Sequence, residues 1–365
     1  MKLTGKGYYI WIVQRSERGD PDQIAALAHE ANLSHVLIKI ADGAFPYNMD
    51  LNRNYDYVRP VIKKLQAQNI AVWGWQYVYG NYPQQEAEIA VKRALELGVD
   101  GFTVNAEKEY RDLRKAAAAS RYMSILRNHL GSMPIALSSY RYPLVHHQFP
   151  WTSFLERCDY NMPQVYWMQT HGIAAQQLKR CVNEFKNIRP YRPIVPTGPT
   201  FKEHGWVPKL EDLNEFMDTA KQMNIPAVNF WFWEGCRRDL PAFWDFVKAY
   251  DYQSQPQTAS LPTAYINAIN SRDPEEVIKV YADNAVHIRP QSFIQGKEAI
   301  RNWVKYLLEQ YPDCVFSLVN ESNQRNIQNF QWEAADNSGT LIEGRDTIGL
   351  VDNKIRYHYS SMKTT

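Results

Sequence analysis

The sequence predicts an α/β protein in which a (β/α)8 barrel is followed by a smaller α+β domain. Up to about residue 250, eight short apolar or aromatic runs alternate with helical patterns, as in parallel β/α units. A polar segment over 251–262, with two prolines, has neither helical nor strand periodicity and indicates a linker. Residues 263–365 place their helical patterns first and most of their strand patterns last, as α+β domains do.

Length and composition agree with this division into a barrel over 1–250 and a tail over 263–365. At roughly 150 residues per domain, 365 residues give about two domains, and a single barrel commonly takes about 250. Hydrophobic residues at 45% and charged residues at 22% are typical of a folded globular chain. The net charge of +2 is too balanced for a dedicated binder of nucleic acid or of acidic membranes, so we expect neither partner.

The amino terminus and the cysteines carry little chemistry. The first 20 residues contain only a strand-length apolar stretch, and no run approaches the ~18 apolar residues that span a bilayer, so we expect a cytoplasmic protein. The cysteines lack metal-ligand or redox spacing. No motif implies a metal or another cofactor.

The predicted barrel elements follow in order along the chain. The strands are expected at Tyr8–Gln14, His35–Ala41, Ile70–Tyr77, Gly101–Ala106, Pro134–Ser139, Asn161–Tyr166, Pro193–Thr197 and Ala227–Trp233. The helices are expected at Pro21–Ala31, Asp56–Gln68, Gln84–Leu97, Arg114–Leu130, Ile173–Asn187, Leu210–Met223 and Leu240–Tyr250. An open doubly wound sheet is the alternative, but the glycine-rich phosphate turn that usually marks it is absent from the sequence.

Reactive groups of such barrels lie at the carboxyl ends of the strands, where side chains share one mouth. Polar and aromatic residues at these ends are therefore the candidates for binding a substrate. They are Asp42, Gln76, Gln164, Tyr166, Trp231, Trp233 and Glu234.

The fourth strand has the sharpest pattern, Asp100-Gly-Phe-Thr-Val-Asn-Ala-Glu107. Alternation places Thr103, Asn105 and Glu107 on one face, with Glu107 at the strand end. The pattern resembles the Asp-Gly-x-Asp-x-Asp-x-Glu signature of family 18 glycoside hydrolases, the chitinases and their relatives. The resemblance implies that Glu107 is the general acid and that Asn105 stands where an aspartate orients the acetamido group of the substrate.

Two further stretches extend this resemblance. Asn161-Met-Pro-Gln-Val-Tyr-Trp167 is similar to the sixth-strand segment of those enzymes, and Phe230-Trp-Phe-Trp-Glu234 is similar to their last strand, which carries a tryptophan under the sugar. His35-Val-Leu-Ile-Lys-Ile-Ala-Asp-Gly43 and Asn105-Ala-Glu107 also resemble the family 25 lysozyme barrel. Each resemblance implies an N-acetylhexosamine-containing glycan as the ligand.

Thr103 and Asn105 replace acidic residues of the family 18 signature, and this leaves two functions open. The first is a glycosidase, with Asp42, Glu109 or Glu234 available as a second carboxylate. A carboxylate separation of ~5 Å then implies retention, and ~6.5–9.5 Å implies inversion. The second is a non-catalytic protein that binds a glycan or a small ligand.

The tail is predicted to contain helices at Ala264–Asn270, Pro274–Tyr281 and Lys297–Gln310. Strands are expected at Val286–Arg289, Cys314–Asn320, Asn326–Ala335, Gly339–Val351 and Lys354–Ser361. This order, with the segments Ala264–Asp273, Tyr281–Asp283, Ile294–Ile300, Phe330/Trp332 and Asp352–Tyr357, resembles the SnoaL-like domains of the nuclear-transport-factor-2 superfamily.

The SnoaL-like resemblance implies a cone-shaped pocket in the tail. The residues that can line it are Tyr281, His287, Trp303, Phe330, Trp332 and His358, although the same residues can also form the core of a curved sheet. Asp283 and His287 are the only attractive acid and base pair of this domain, and a third function, in which the tail is the enzyme and the barrel a scaffold, depends on this weaker signal. A curved sheet commonly buries one face against its own helices and offers the other to a partner, so we expect that the tail sheet can join two copies of the chain as a homodimer.

Overall fold

The computed structural model describes residues 3–169, 171, 173–252, 260–324, 326–336, 341–351 and 354–364. The contacts divide the chain into two compact units, Met1–Gln255 and Pro256–Thr365. Most of the predicted linker, residues 253–259, lies outside the described residues. Each unit is therefore considered by itself.

The first unit is a closed, TIM-like barrel of eight parallel strands with helices between them. Its strands are β1 (Gly5–Ile10), β2 (Leu33–Asp42), β3 (Ala71–Val78), β4 (Gly101–Ala106), β5 (Ile135–Tyr140), β6 (Tyr160–Gln164), β7 (Thr197–Pro199) and β8 (Ala227–Trp231). Each strand pairs with the next along the chain, and β1 pairs with both β2 and β8, which closes the barrel. The predicted barrel is confirmed.

The helices around this barrel are α1 (Pro21–Glu30), α2 (Val58–Ala67), α3 (Pro83–Leu97), α4 (Ala116–Leu130), α5 (Trp151–Leu155), α6 (Ala174–Phe185), α7 (Leu210–Gln222), α8 (Trp233–Asp239) and α9 (Pro241–Ala249). Short 3-10 turns occur at Val13–Arg15, Glu17–Gly19, Lys108–Tyr110 and Leu113–Lys115. Two-residue strands lie at Phe45–Pro46, Met49–Asp50 and Tyr55–Asp56. The seventh strand begins later than predicted, because prolines at 193 and 196 remove backbone donors from the expected run.

Alternation along the strands divides the barrel residues into two sets. Inward-facing side chains such as Leu37, Trp73 and Met162 form one buried cluster, and outward-facing ones pack against the helices in a larger cluster. The tryptophan needs space that only glycine leaves, because a Cβ on Gly101 of β4 would lie 2.4 Å from the Trp73 ring. Large aromatic residues thus fill the lower part of the barrel and leave polar side chains at its carboxyl end.

The second unit contains three helices, α10 (Leu261–Asn270), α11 (Pro274–Ile278) and α12 (Lys297–Gln310). Its strands are β9 (Tyr281–Arg289), β10 (Ser292–Gln295), β11 (Val315–Gln324), β12 (Ile327–Ala335), β13 (Leu341–Val351) and β14 (Lys354–Thr364). They form one sheet in the order β10-β9-β14-β13-β12-β11, with β9 and β14 parallel and the other neighbours antiparallel. The predicted start of one strand at 339 lies outside the described residues, and β10 was missed because it has only four residues.

None of the helices in the described part of the chain has the length and apolar character needed to cross a membrane.

Candidate functional site

Asn105 and Glu107 lie together at the carboxyl end of β4, on the edge of the barrel that we call the mouth. The side-chain amide of Gln164, at the end of β6, donates to Asn105 Oδ1 at 3.0 Å and to Glu107 Oε1 at 2.8 Å. Ser138 Oγ, on the intervening strand β5, lies 3.4 Å from the same nitrogen. Asn105 is buried, whereas Glu107 and Gln164 are half-buried. The structure thus joins three predicted site residues in what we call the Glu107 cluster.

Tyr166 lies two residues after the end of β6 and is half-buried. Its ring packs edge to face on Phe201, with centroids 5.3 Å apart. Burial raises the pKa of the Tyr166 hydroxyl well above its ordinary value, and the negative charge of Glu107 raises it further. Tyr166 therefore remains a neutral phenol that can donate a hydrogen bond.

Trp231, at the end of β8, lies among aromatic residues of β1 and β3. Its ring centroid is 5.4 Å from that of Tyr9 and 5.5 Å from that of Trp75. Trp11, just after β1, lies 6.1 Å from Trp231 with the ring planes 33° apart, and it is 39% exposed. Trp11 and Trp231 together offer an aromatic surface on which the C–H groups of a sugar ring can pack.

Sequence reasoning missed Lys39, which points into the barrel from β2. Its ammonium lies over the rings of Trp11, Tyr47 and Trp75, at 5.7, 4.3 and 5.0 Å from their centroids. Burial lowers the pKa of Lys39, and the Asp42 carboxylate opposes that shift. A lysine at an inward-facing position of an otherwise apolar strand was the signal that could have identified it.

Asp42, at the end of β2, has two partners. Lys39 Nζ donates to its Oδ2 at 3.1 Å, and the Tyr79 hydroxyl donates to its Oδ1 at 3.0 Å. Burial raises the pKa of Tyr79 to about 12, and the Asp42 carboxylate contributes to that shift, so the tyrosine stays the donor. Asp42 is thus held in one orientation at the rim of the mouth.

The structure corrects the assignment of Gln76 to the substrate-binding residues. Alternation along β3 turns Tyr77 inward, so Gln76 points outward into the layer beneath the helices. Its amide donates to the carbonyl oxygens of Gly43 and Glu86 at 2.7 and 2.8 Å and accepts from the Tyr122 hydroxyl at 2.5 Å. Gln76 is fully buried and ties the loop after β2 to the first turn of α3.

Trp233 also lies away from the mouth. The regular strand ends at Trp231 and Trp233 begins α8, so Trp233 does not join Trp231 among the mouth residues as expected. Trp233 is fully buried, with its ring 4.5 Å from that of Trp244 and 6.2 Å from that of Tyr8. It is a core residue between the barrel and its helices.

Glu234 is a buried structural carboxylate, 5% exposed, and is not a mouth residue open to a ligand. It accepts hydrogen bonds from the backbone nitrogens of Ile12 at 2.7 Å and Trp11 at 3.2 Å, and from Ser16 Oγ at 3.4 Å. Burial raises the pKa of Glu234, and these hydrogen bonds oppose the shift. Its contribution to the site is to fix the segment that carries Trp11.

Glu109, a candidate second carboxylate, is engaged by Tyr77. The Tyr77 hydroxyl donates to Glu109 Oε2 at 2.6 Å. Burial raises the pKa of Tyr77 well above its ordinary value, and the carboxylates of Glu109 and Glu107 add to the shift. Tyr77 therefore stays protonated between these two acidic residues.

The second unit holds a buried chain of polar side chains. The Tyr281 hydroxyl lies 2.5 Å from His358 Nδ1, and His358 Nε2 lies 2.8 Å from Asp346 Oδ2. Burial raises the pKa of Tyr281 far above its ordinary value, so its hydroxyl remains a neutral phenol that can donate to Nδ1 of His358. His287 lies beside His358 on the neighbouring strand, with the rings stacked 4.3 Å apart.

These polar side chains lie beside a cavity of about 390 Å³. The residues that line the cavity include Trp303, Trp332, Arg289 and Asp346. Within the described part of the protein, Asp346 Oδ1, Trp332 Nε1 and Arg289 Nε are buried without a hydrogen-bond partner. Such atoms cost free energy unless a ligand or water completes them. Of the residues expected to line the pocket, Trp303 and Trp332 do so.

The expected Asp283 and His287 pair is not formed. The Asp283 side chain is 93% exposed and pairs with Lys297 at 2.8 Å, whereas His287 is fully buried with Nε2 at 2.6 Å from Ser360 Oγ. Asp283 and His287 are four positions apart, and regular alternation would place them on the same face of the strand. The register of β9 shifts between residues 281 and 286, so alternation does not hold there and the two side chains separate.

Comparisons with known proteins concern about a quarter of the chain. Residues 263–358 match the family model described as the SnoaL-like domain. None of the curated proteins matches this chain. Similar solved structures include an NTF2-like protein of unknown function from Cytophaga hutchinsonii, at 16% identity and a TM-score of 0.24, covering 28% of this chain and 87% of that one.

Two further solved structures each cover 28% of this chain. One is an NTF-2 like protein of unknown function from Burkholderia xenovorans, at 16% identity and a TM-score of 0.25, with 80% of its own length covered. The other is an uncharacterized cystatin fold protein from Novosphingobium aromaticivorans, at 13% identity and a TM-score of 0.25, with 94% covered. The family match and the sheet topology together identify residues 263–358 as a SnoaL-like domain, joined in this chain to a TIM-like barrel.

Proposed function

We propose that the barrel binds a glycan containing N-acetylhexosamine at its mouth and cleaves a glycosidic bond with Glu107 as the general acid. The observation that carries this proposal is the Glu107 cluster, in which Gln164 donates to both Asn105 and Glu107. A carboxyl group fixed by an amide on one oxygen has its orientation set before the substrate arrives. The half-buried position of Glu107 gives that group access to a ligand.

In the proposed reaction, the proton on Glu107 moves to the glycosidic oxygen as the bond from that oxygen to the anomeric carbon breaks. The acetamido oxygen of the sugar attacks the anomeric carbon, and water later opens the resulting ring with Glu107 as the base. Asn105 has the position of the residue that orients the acetamido group. Tyr166 supplies a neutral donor beside Glu107, and Trp11 and Trp231 support the sugar face.

The second candidate is a barrel that binds a glycan without cleaving it. This function is favoured because the three candidates for a second catalytic carboxylate, Asp42, Glu109 and Glu234, are all held in hydrogen bonds within the protein. Asp42 is bound by Lys39 and Tyr79, Glu109 is bound by Tyr77, and Glu234 is buried on backbone nitrogens. Asn105, which is uncharged, cannot supply the negative charge that stabilises a cationic intermediate.

For the SnoaL-like domain we propose a binding role. Its cavity of about 390 Å³ is lined by Asp346, Trp332 and Arg289 among others, and this mixture of polar and aromatic residues suits a small ligand with hydrogen-bonding groups. We also propose that a second copy of the chain covers the outer face of its sheet. Ile288 and Tyr359 are neighbours in register on β9 and β14, and they are 37% and 47% exposed.

The release of reducing ends from chitin oligomers and peptidoglycan fragments tests the barrel proposal. A hydrolase releases them, and the Glu107→Gln variant binds the same oligomers without releasing them. Binding by the wild-type protein without release at long times favours the second candidate. Absence of binding contradicts both.

A further inference from the structure

A groove lies beside the mouth, between the loop after β2 and the loop after β3. Its volume is about 470 Å³, and its walls include Asp42, Phe45, Tyr47, Tyr79, Tyr82 and Glu86. Phe45 is 72% exposed and Tyr82 is 64% exposed. Aromatic rings left this open on a concave surface commonly mark a binding site. We call this feature the side groove.

One wall of the side groove is fixed by a buried carboxylate. Glu86 is 1% exposed, and its two oxygens accept from four consecutive backbone nitrogens over 79–82, at 2.9–3.2 Å. Lys115 holds the same loop from outside, with Nζ 2.9 Å from the Gly80 carbonyl oxygen and 2.7 Å from Asn81 Oδ1. The backbone that carries Tyr79 and Tyr82 is therefore held from two sides.

The two walls are also tied to each other. Gln76 donates to the Gly43 carbonyl on one wall and to the Glu86 carbonyl on the other. Gly43 has a φ of +50°, and a Cβ there would lie 3.1 Å from the Tyr79 ring, so glycine lets the two walls approach closely. A groove with a fixed width loses little conformational entropy when a ligand enters it.

The polar group of the side groove is Asp42. Lys39 and Tyr79 each donate to a different oxygen of its carboxylate, which fixes the carboxylate plane and leaves further lone pairs as acceptors. An oriented carboxylate accepts well from hydroxyl groups, and aromatic rings receive the C–H face of a pyranose. Together these are the elements that recognise a sugar.

The side groove borders the mouth, because Asp42, at the end of β2, is also one of its walls. Tyr77 donates to Glu109 in the mouth, and its ring centroid lies 5.0 Å from that of Tyr79, which lines the groove. We propose that the side groove is a second glycan subsite, which binds sugar units of the same chain that the mouth binds, with Asp42 accepting from hydroxyl groups and Phe45 and Tyr82 packing on the rings. Gln76 and Glu86 are positioning residues. This inference rests on the proposed function of the barrel.

The test compares a dimer and a hexamer of β-1,4-linked N-acetylglucosamine in calorimetric titrations of the full chain. The proposal expects the dimer to occupy the mouth alone and the hexamer to occupy both sites, with an affinity gain from the linkage. The double variant Phe45→Ala/Tyr82→Ala is expected to lose roughly tenfold in affinity for the hexamer and less than about twofold for the dimer. The single variants Phe45→Ala and Tyr82→Ala are each expected to lose part of this tenfold affinity for the hexamer.

The matched control is Tyr306→Ala, because Tyr306 is 58% exposed on α12 of the other unit. It is expected to leave both affinities unchanged. Three outcomes overturn the subsite and leave the mouth as proposed. The wild-type protein binds the two oligomers equally, the double variant keeps its affinity for the hexamer, or the double variant loses affinity for both oligomers. Wild-type protein that binds neither oligomer overturns the proposed function and the subsite together.

Discussion

The side-chain nitrogen of Gln164 lies 2.8 Å from Oε1 of Glu107, and this bond links residues that are 57 positions apart in the chain. An amide donor needs an oxygen lone pair, which both forms of the carboxyl group provide at Oε1. A protonated Glu107 can therefore keep the bond through a carbonyl Oε1 and carry its proton on Oε2. The relationship fixes the orientation of the group without preventing proton transfer.

Glu107→Gln should abolish turnover and retain glycan binding, because the amide keeps the shape of the side chain and has no acidic proton. We expect turnover to fall by roughly 10²–10⁴-fold, the usual contribution of a general acid. Reducing-end release and calorimetric binding measure the two effects. Glu109→Gln, the same change two positions later, is the control and should retain most activity; equal losses in both variants would contradict the assignment.

Asn105→Asp should raise the rate of hydrolysis, by about tenfold or more, if the proposed mechanism passes through a cationic intermediate. The aspartate can accept the Gln164 hydrogen bond that Asn105 Oδ1 accepts, so the geometry is retained while a full negative charge is gained. Initial rates on a chromogenic N-acetylglucosamine dimer measure the change. A variant that folds and binds but is no faster than wild type argues against substrate-assisted hydrolysis.

The second unit should lose stability as the pH falls below about 6.5. Burial, with the nearby His358, lowers the pKa of His287 from 6.5 to about 2, so between these values the unfolded chain binds a proton that the folded chain does not. The slope for one such group is at most about 1.4 kcal/mol per pH unit, and its contribution to the slope vanishes above the unfolded pKa. The loss of stability is measured by hydrogen exchange of peptides from β9 and β14 between pH 7.5 and 5.

The His287→Gln variant should show a weaker dependence of exchange on pH in these peptides, whatever its stability at neutral pH. His129→Gln, at an exposed position of α4, is the control and should keep the wild-type dependence. An unchanged dependence in His287→Gln would assign the acid sensitivity to another group.

The full chain should form a dimer that a charge on the outer face of the tail sheet disrupts. Tyr359→Lys places an ammonium between Ile288 and Thr347, its neighbours in register, where a second copy would bury it without a partner. Light scattering after gel filtration should give twice the chain mass for wild type and the single mass for the variant. Tyr306→Lys is expected to remain a dimer, and a monomeric wild type at high concentration contradicts the proposal.

Limited proteolysis should cut first within 251–262, because that segment combines polar residues and two prolines without periodicity. The expected products are fragments that correspond to the barrel and to the SnoaL-like domain, identified by mass spectrometry. Initial cleavage inside the barrel, with 251–262 resistant, would contradict this boundary.

The sequence by itself determined the two folds and the shared face of Asn105 and Glu107. Strand alternation put Asn105 and Glu107 on one face, and the barrel order put Gln164 at the same mouth, whereas the hydrogen bonds that join the three residues were not predicted. These inferences succeeded because they depend on periodicity and connectivity, which are local properties of the chain.

Only the tertiary structure decided which candidates are turned away from the mouth. Gln76 and Tyr77 are adjacent and cannot share a face, and the barrel register points Gln76 outward. Trp233 and Glu234 follow the last residue of β8, where alternation no longer applies and helix packing decides orientation. The contacts of Lys39 with Trp11 and of His287 with His358 depend on the register between strands that are distant in sequence. That register is determined by the packing free energy of the whole core, which no local pattern contains.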